Sequence, residues 1–414
     1  MTVPEVTVPE VTVPEVRGPE VRGPEVTGPE VTGPDGGEHR PGAPGGAVLH
    51  FAARWLPASE GFVHDLVAHL ERPGVVVGSG PLENGERFAF DDGRAPHSLA
   101  TLQALTPRGV RQKAVTARLV LLARRHSVGI VHAHHGYRVE QVLGVARRRS
   151  LPLVLSLHGD DVTGLLAARP DAYRRLAPVP AAVVVPSRFL AALAVDAGLP
   201  ADRVHVIPSG VDTAWFSPSP LPAGPPEVLF VGRFVEKKGL DVLARAWPAV
   251  AAAVPGARLR LLGFGPLEPL ARSVAGDVDV VLSPTRQEVR AAMRRARLVV
   301  SPSRTAPGDA VESLLVVNLE AQASGRPVVT TRHGGIPEFV DAGRSALVVP
   351  EADAAALGAA LVRVLTDDAL ATRLAGHGPR WAQAFDVRRT ARRVDDLYDE
   401  LLTASTGARV PARR

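Results

Sequence analysis

Residues 297–335 read RLVVSPSRTAPGDAVESLLVVNLEAQASGRPVVTTRHGG. The stretch predicts a strand over 297–303, a helix over 313–324 and a second strand over 327–331. Both strands are unbroken apolar runs rather than alternating ones, so each is expected to be buried on both faces. Gly325 ends the helix, and His333-Gly334-Gly335 forms a turn after the second strand. Strand, helix and strand in this order form a parallel crossover unit. Two carboxylates, Glu312 and Glu320, flank the apolar run of the helix, as expected of a ligand pocket.

The same alternation extends in both directions. Towards the N-terminus it gives the strands AVLHFA (47–52), GVVVGS (74–79), IVHAH (130–134), PLVLSLHG (152–159), AAVVVPS (181–187) and RVHVIPSG (203–210). Helices are predicted after Gly61, over 98–126, over 138–149 and over 188–197. The Pro/Gly-rich segment SPSPLPAGPP (217–226) breaks the pattern. Alternation resumes with EVLFVG (227–232), a helix near 239–253, RLRLLG (258–263), VDVVLS (278–283), a helix over 287–296 and, after the opening stretch, SALVVP (345–350). Helices over 353–366, 368–384 and 387–403 close the chain. The predicted class is α/β, with two doubly wound parallel domains over 47–216 and 227–385, a linker over 217–226 and a separate last helix over 386–403.

With 414 residues the chain has room for two cores. It has no cysteine, which excludes disulfides, thiolate metal sites and a cysteine nucleophile. From Thr2 to Gly36 a pentapeptide repeats seven times with proline at its third position, so 1–46 reads as a disordered, polyproline-like tail or a partner-binding arm. A second tail, basic, occupies 404–414. The formal charge is +5, and 1–46 carries eight acids and three arginines, so the rest carries about +10. A basic body suits phosphate-bearing ligands or anionic lipid. Nucleic acid is not expected, because the cations are scattered and no recognition motif accompanies them. No apolar run approaches the roughly 18 residues that span a bilayer, and no signal peptide is recognised. A cytoplasmic protein is expected, or one held peripherally at the inner face of the cell membrane.

Ligands of open α/β sheets gather at the carboxyl ends of strands. Arg233 follows such an end, at Gly232, and Lys238 opens the next helix. Two cations there suit a diphosphate, although a solvated charged loop reads the same way. Gly263 and Gly265 in LGFGP would let the backbone approach a phosphate or sugar. The amides of Ser313, Leu314 and Leu315 would form an anion site at a helix N-terminus. His132, His134 and His135 lack a nearby carboxylate at ligand spacing and read as structural. Asp91-Asp92 and Asp160-Asp161 resemble metal-binding pairs, but cations and a helix dipole can supply the same electrostatics, so no metal or other cofactor is expected. Arg147 to Arg149 end a helix, facing either water or anionic lipid.

Taken together, 47–403 resembles the retaining glycosyltransferases of the GT-B type, group 4 class. GRFVEKKGLDVLARA is similar to that family's diphosphate-binding segment, and its E-x7-E motif falls on Glu312 and Glu320. IPSGVDTAWFSP resembles the interdomain segment, with Ser209 where asparagine is usual, and LHGDDV resembles the His-Gly-x-Asp segment. The resemblance implies two Rossmann-like domains facing a cleft, with the last helix crossing back to the first. It implies Arg233 and Lys238 on the donor phosphates, Glu312 near the donor sugar, Glu320 on the ribose and His158 beside the sugar. The partners implied are a UDP- or GDP-sugar donor and a glycan or lipid-linked acceptor. PASEGF and VHAHHG are similar to the exopolysaccharide and colanic-acid branch. Ser313 departs from the family, which has glycine there. The glycine pair after the first strand is also missing, and Ser59 to Phe62 would take its place. An epimerase or hydrolase of nucleotide-sugars, or a non-enzymatic binding scaffold, remains compatible with these residues.

Overall fold

The structure, a computed structural model, describes residues 46–55, 57, 60–82, 84, 88, 90, 95–169, 171–177, 179–306 and 311–407. The pentapeptide tail, Ser59, Asp91-Asp92 and 408–414 lie outside these residues, while 404–407, expected in the basic C-terminal tail, belong to the last helix.

In the first half the strands are β1 (Ala47–Ala52), β2 (Gly74–Gly78), β3 (His97–Ser98), β4 (Val128–Ala133), β5 (Leu153–Ser156), β6 (Ala182–Val185) and β7 (Val204–Val206). They form one sheet in the order β3-β2-β1-β4-β5-β6-β7, with every pair parallel. Its helices are α1 (Gly61–His69), α2 (Ala100–Leu105), α3 (Arg108–Arg125), α4 (Glu140–Arg149), α5 (Asp160–Ala168), α6 (Ala172–Leu176) and α7 (Arg188–Asp196). The single helix expected over 98–126 is two. Pro107 lacks an amide hydrogen and pushes Thr106 to an extended conformation, which separates α2 from α3. The sequence reading missed α5 and α6.

The second half holds β8 (Glu227–Arg233), α8 (Leu240–Ala253), β9 (Arg258–Phe264), α9 (Glu268–Ser273), β10 (Val278–Leu282), α10 (Arg286–Arg295), β11 (Leu298–Ser301), α11 (Val316–Ala323), β12 (Val328–Thr331), β13 (Ala346–Val349), α12 (Ala354–Thr366), α13 (Asp368–Gln383) and α14 (Val387–Gly407). Its sheet runs β10-β9-β8-β11-β12-β13, again parallel throughout. In each sheet the order reverses beside the first strand, and that switch point opens a crevice at the carboxyl ends.

Both sheets are buried on two sides, as continuous apolar strands require. In β1, Leu49 and Phe51 enter the core shared with α3 and α4, while Val48 faces the opposite layer. That opposite layer includes Ala391, Val394, Leu397 and Tyr398 of α14. The last helix therefore crosses back and seals the first sheet. The two chain crossings lie side by side, because the Val211 amide donates to the Phe385 carbonyl and the Val387 amide donates to that of Val211, each at 2.9 Å. A Cβ on Gly210 would lie 2.4 Å from Val387 Cα, so this close pairing needs the glycine.

Candidate active site

A cleft of about 630 Å³ lies between the two sheets, lined from both halves of the chain. From the second half come Gly232 and Arg233 at the end of β8, Lys237 and Lys238 in the short helical turn after it, and Gly263 at the end of β9. Glu312, Leu314, Leu315 and Glu320 join them, and His158 faces them from the first half.

Three expected positions differ. Helix α11 begins at Val316 rather than Ser313, because 311–315 run across the turn at Gly334-Gly335. There the Gly335 amide donates to the Glu312 carbonyl at 2.9 Å. The amides without an intrahelical acceptor are therefore those of Leu315, Val316 and Val317. Ser313 does not face the cleft. It is buried, and its hydroxyl donates 2.6 Å to the His158 carbonyl in the other half. Gly265 also turns away: at φ +143° it packs under the Phe234 backbone, where a Cβ would lie 2.6 Å from the carbonyl oxygen. Gly263 is needed for a different reason, since its Cβ would lie 1.9 Å from the Gly232 carbonyl.

Lys238 and Glu312 meet at 2.7 Å, both largely buried. Burial works against the Glu312 carboxylate, but Lys238 and Lys237 outweigh it and hold its pKa below the usual range. Behind the pair stands a support that the sequence reading missed. The Glu312 amide donates to His333 Nε2 at 3.3 Å, and His333 Nδ1 meets Glu351 at 3.0 Å. Gly334 sits at φ +53°, with room for a Cβ only 2.1 Å from the Glu312 carbonyl oxygen. Gly334→Ala is expected to cost about 1–3 kcal/mol and to displace Glu312. Thermal melts with and without nucleotide check this; an unchanged melting point, and an unchanged nucleotide shift, would refute it.

Glu320 is half-buried on α11, and burial raises its pKa to about 7, against the Arg286 guanidinium and helped by the Asp65 carboxylate. Arg286 itself pairs with Asp65 of α1 at 2.7 Å, which ties the two walls together.

On the facing wall, the ring nitrogens of His158 have no side-chain hydrogen-bond partner among the described residues, and the His134 backbone is their polar neighbour. Its ring meets Phe62 and His135 edge-on, each at 4.9 Å. Burial, then the neighbouring His135, lowers its pKa to about 4, so the imidazole is neutral at physiological pH. Asp161 shapes the turn beneath it, accepting from the amides of His158 at 2.8 Å and Gly159 at 3.0 Å.

The three histidines of the HAHH segment differ from one another. His135 lines the cleft, its Nε2 3.1 Å from Glu60 and its Nδ1 3.7 Å from Asp161. Burial disfavours its charge, but the two carboxylates raise its pKa to about 10, so it is a cation. His132 and His134 lie on the α14 side of the sheet with His50. His132 contacts the hydroxyls of Tyr398 and Ser156, and His50 Nδ1 meets His134 Nε2 at 3.0 Å. The His132 and His134 rings stack 4.2 Å apart. Stacked rings do not aim their in-plane lone pairs at a common point, so this group reads as a hydrogen-bonded core. Among the described residues, no helix is long and apolar enough to cross a membrane.

Comparison with known proteins agrees with this geometry. Residues 225–367 match the family described as Glycosyl transferases group 1, and 59–215 match Glycosyltransferase Family 4. A putative colanic acid biosynthesis glycosyltransferase of Escherichia coli, WcaL, is 39% identical over 41% of this chain and 45% of its own length. Its Salmonella typhimurium counterpart is matched over 53% of its length, so the chain spans about half of these relatives. A GDP-mannose-dependent alpha-(1-6)-phosphatidylinositol monomannoside mannosyltransferase of Mycolicibacterium smegmatis is 30% identical over 71% of this chain and 82% of its own. Among solved structures, HepE from Anabaena, crystallised with UDP and glucose, superposes with a TM-score of 0.70 at 18% identity, over 85% of this chain and 99% of that one. The fold is thus GT-B. With both halves of the cleft matched and the mycobacterial relative aligned over most of its length, the chain belongs to the group 1 glycosyltransferases, family 4.

Proposed function

We propose that the protein transfers a sugar, with retention at the anomeric carbon, from a nucleotide-sugar to a hydroxyl of a glycan or lipid-linked glycan, in cell-surface or exopolysaccharide assembly. The observation that carries this is the cleft itself. Arg233, Lys237, Lys238 and the start of α11 surround one region of it, and neutral His158 faces that region from the other sheet. Departure of the sugar adds a third negative charge to a diphosphate that already carries two, until the acceptor proton is taken up. Preorganised cations and a helix N-terminus stabilise that charge most where water is excluded. On this reading they do the electrostatic work that a divalent metal could supply. Glu320 accepts hydrogen bonds from the ribose diol, and Glu312, fixed by Lys238 and His333, borders the sugar. His158 exchanges a hydrogen bond with a sugar hydroxyl. Among the described residues we assign none as a nucleophile; on this reading the leaving phosphate takes the acceptor proton on the same face. The named relatives support the reading, since one uses GDP-mannose and HepE binds UDP-glucose.

Calorimetric titration with UDP-, GDP- and ADP-sugars tests it and identifies the base. One donor class is expected to bind. With its pKa at about 7, Glu320 loses its negative charge as the pH falls through neutrality. Donor affinity should therefore drop about tenfold between pH 8 and pH 6, and Glu320→Gln should remove that step. Failure of every donor to bind, or the same pH dependence in the Gln variant, would overturn the assignment. Rapid donor breakdown without acceptor would indicate a hydrolase or epimerase instead.

A further inference from the structure

Helix α3 is apolar on two opposite sides. One side, with Val115, Leu119, Leu122 and Ala123, is buried in the core under the first sheet. The other carries Val110, Ala114, Ala117 and Leu121, spaced four, three and four residues apart, which places all four within about 40° of one line along the helix. Val110 is 49% exposed and Leu121 56%, and Leu105 at the end of α2 is 80% exposed. Among the described residues seven large apolar side chains are more than a third exposed, and the three most open of them fall here.

The outer stripe has cations along both borders. Lys113 and Arg124 lie on one side of it, and Arg111, Arg118 and Arg125 on the other. From Ala100 to His126 there is no Asp or Glu against six Lys and Arg, five of which border the stripe. The neighbouring helix α4, packed against α3, ends in Arg147 to Arg149.

A purely electrostatic partner such as nucleic acid needs no apolar stripe between the cations. A second copy of this chain would bring two faces of like charge together. A bilayer surface uses both features. The apolar side chains enter below the headgroups, while Lys and Arg extend to anionic phosphates at the borders.

We propose that the outer face of α3, with Leu105, docks on an anionic membrane surface. The start of α3, rather than the outer face as a whole, adjoins the first-half side of the cleft. Gln112 near the start of α3 bonds to the Glu140 and Gln141 carbonyls of α4, a few residues beyond Tyr137, which lines the cleft. Gln103 of α2 and Arg138 both bond to Ser79 at the end of β2. A docked molecule would thus present its acceptor side to a lipid-carried glycan. Only that use rests on the transfer reading; the docking does not.

Sedimentation of the full-length protein with vesicles tests the docking apart from any activity. Binding to phosphatidylcholine vesicles containing phosphatidylglycerol is expected to exceed binding to phosphatidylcholine alone at least tenfold. The triple variant Leu105→Asp, Val110→Asp, Leu121→Asp changes only exposed positions and should lose about tenfold of that binding. Lys113→Glu with Arg118→Glu should do the same. Circular dichroism and thermal melts confirm that the variants stay folded. Equal binding to both vesicle types, or undiminished binding of the triple variant, would overturn the proposal. So would concentration-dependent dimerisation in light scattering that the same substitutions abolish, since the face would then be a contact between two copies. Vesicle binding without any sugar transfer would leave the docking intact and refute the transfer reading alone.

Discussion

Lys238→Met is expected to lower turnover at least a hundredfold, the order of loss found when a preorganised charge is removed from a reacting centre. It is also expected to destabilise the fold by about 3 kcal/mol, because Glu312 would stay largely buried without its counter-charge. The two effects can be separated. Adding Glu312→Gln removes the orphaned charge, so the double variant should recover most of the stability and none of the turnover. Urea denaturation and initial rates on the four proteins of this cycle supply the readouts. A double variant as active as the wild type would show that neither group acts on the donor. A single variant of unchanged stability would show that water reaches Glu312 and solvates it.

Arg326→Met should have the largest effect on stability of any substitution far from the cleft, about 3–5 kcal/mol. The side chain is fully buried between α11 and β12. Its guanidinium donates to the carbonyls of Ser324, Ala296, Ser219 and Pro220 and to the Ser219 hydroxyl. Burial, with Arg294 and Arg297 nearby, lowers its pKa to about 10, so it remains charged at neutral pH. It fastens the segment that joins the two sheets, and truncation leaves several buried carbonyls without donors. Lysine cannot reproduce the planar fork, so Arg326→Lys should retain little of the stability. Urea midpoints check this; a loss under about 1 kcal/mol for Arg326→Met would sink it.

Much of the fold was legible because a strand buried on both faces must be apolar throughout, and short runs such as AVVV in β6 or LVVS in β11 fit little else. Local chemistry also placed Arg233, Lys238, Glu312 and Glu320, all of which line the cleft. What escaped depends on contacts between residues far apart in sequence. The pattern SLLVVNLEAQA reads as helix from Ser313, and only the reach of that serine to the His158 carbonyl and the crossing of Gly334 delay the helix to Val316. The hydroxyl that departs from the family's glycine is therefore a tie between domains. In LGFGP the two glycines look equivalent, yet one faces the cleft and the other the backbone of Phe234. The charge on His135 depends on Glu60, 75 residues away, and the seating of Glu312 on Glu351 through His333. A single sequence offers no signal for either pairing.

The described side-chain ties across the cleft are polar. Ser313 bonds to the His158 carbonyl, Arg286 pairs with Asp65, and Glu338 receives the amides of Arg188 and Phe189 at the start of α7. Water can replace each of them at a net cost of about 1 kcal/mol, whereas the apolar seal of α14 would stay with the first sheet. Gaping and shut forms should therefore both be populated, turning about the paired crossings at Val211 and Val387. Under that arrangement a donor need favour the shut form only modestly to make it dominant, and release of the spent nucleotide would reverse the same small bias.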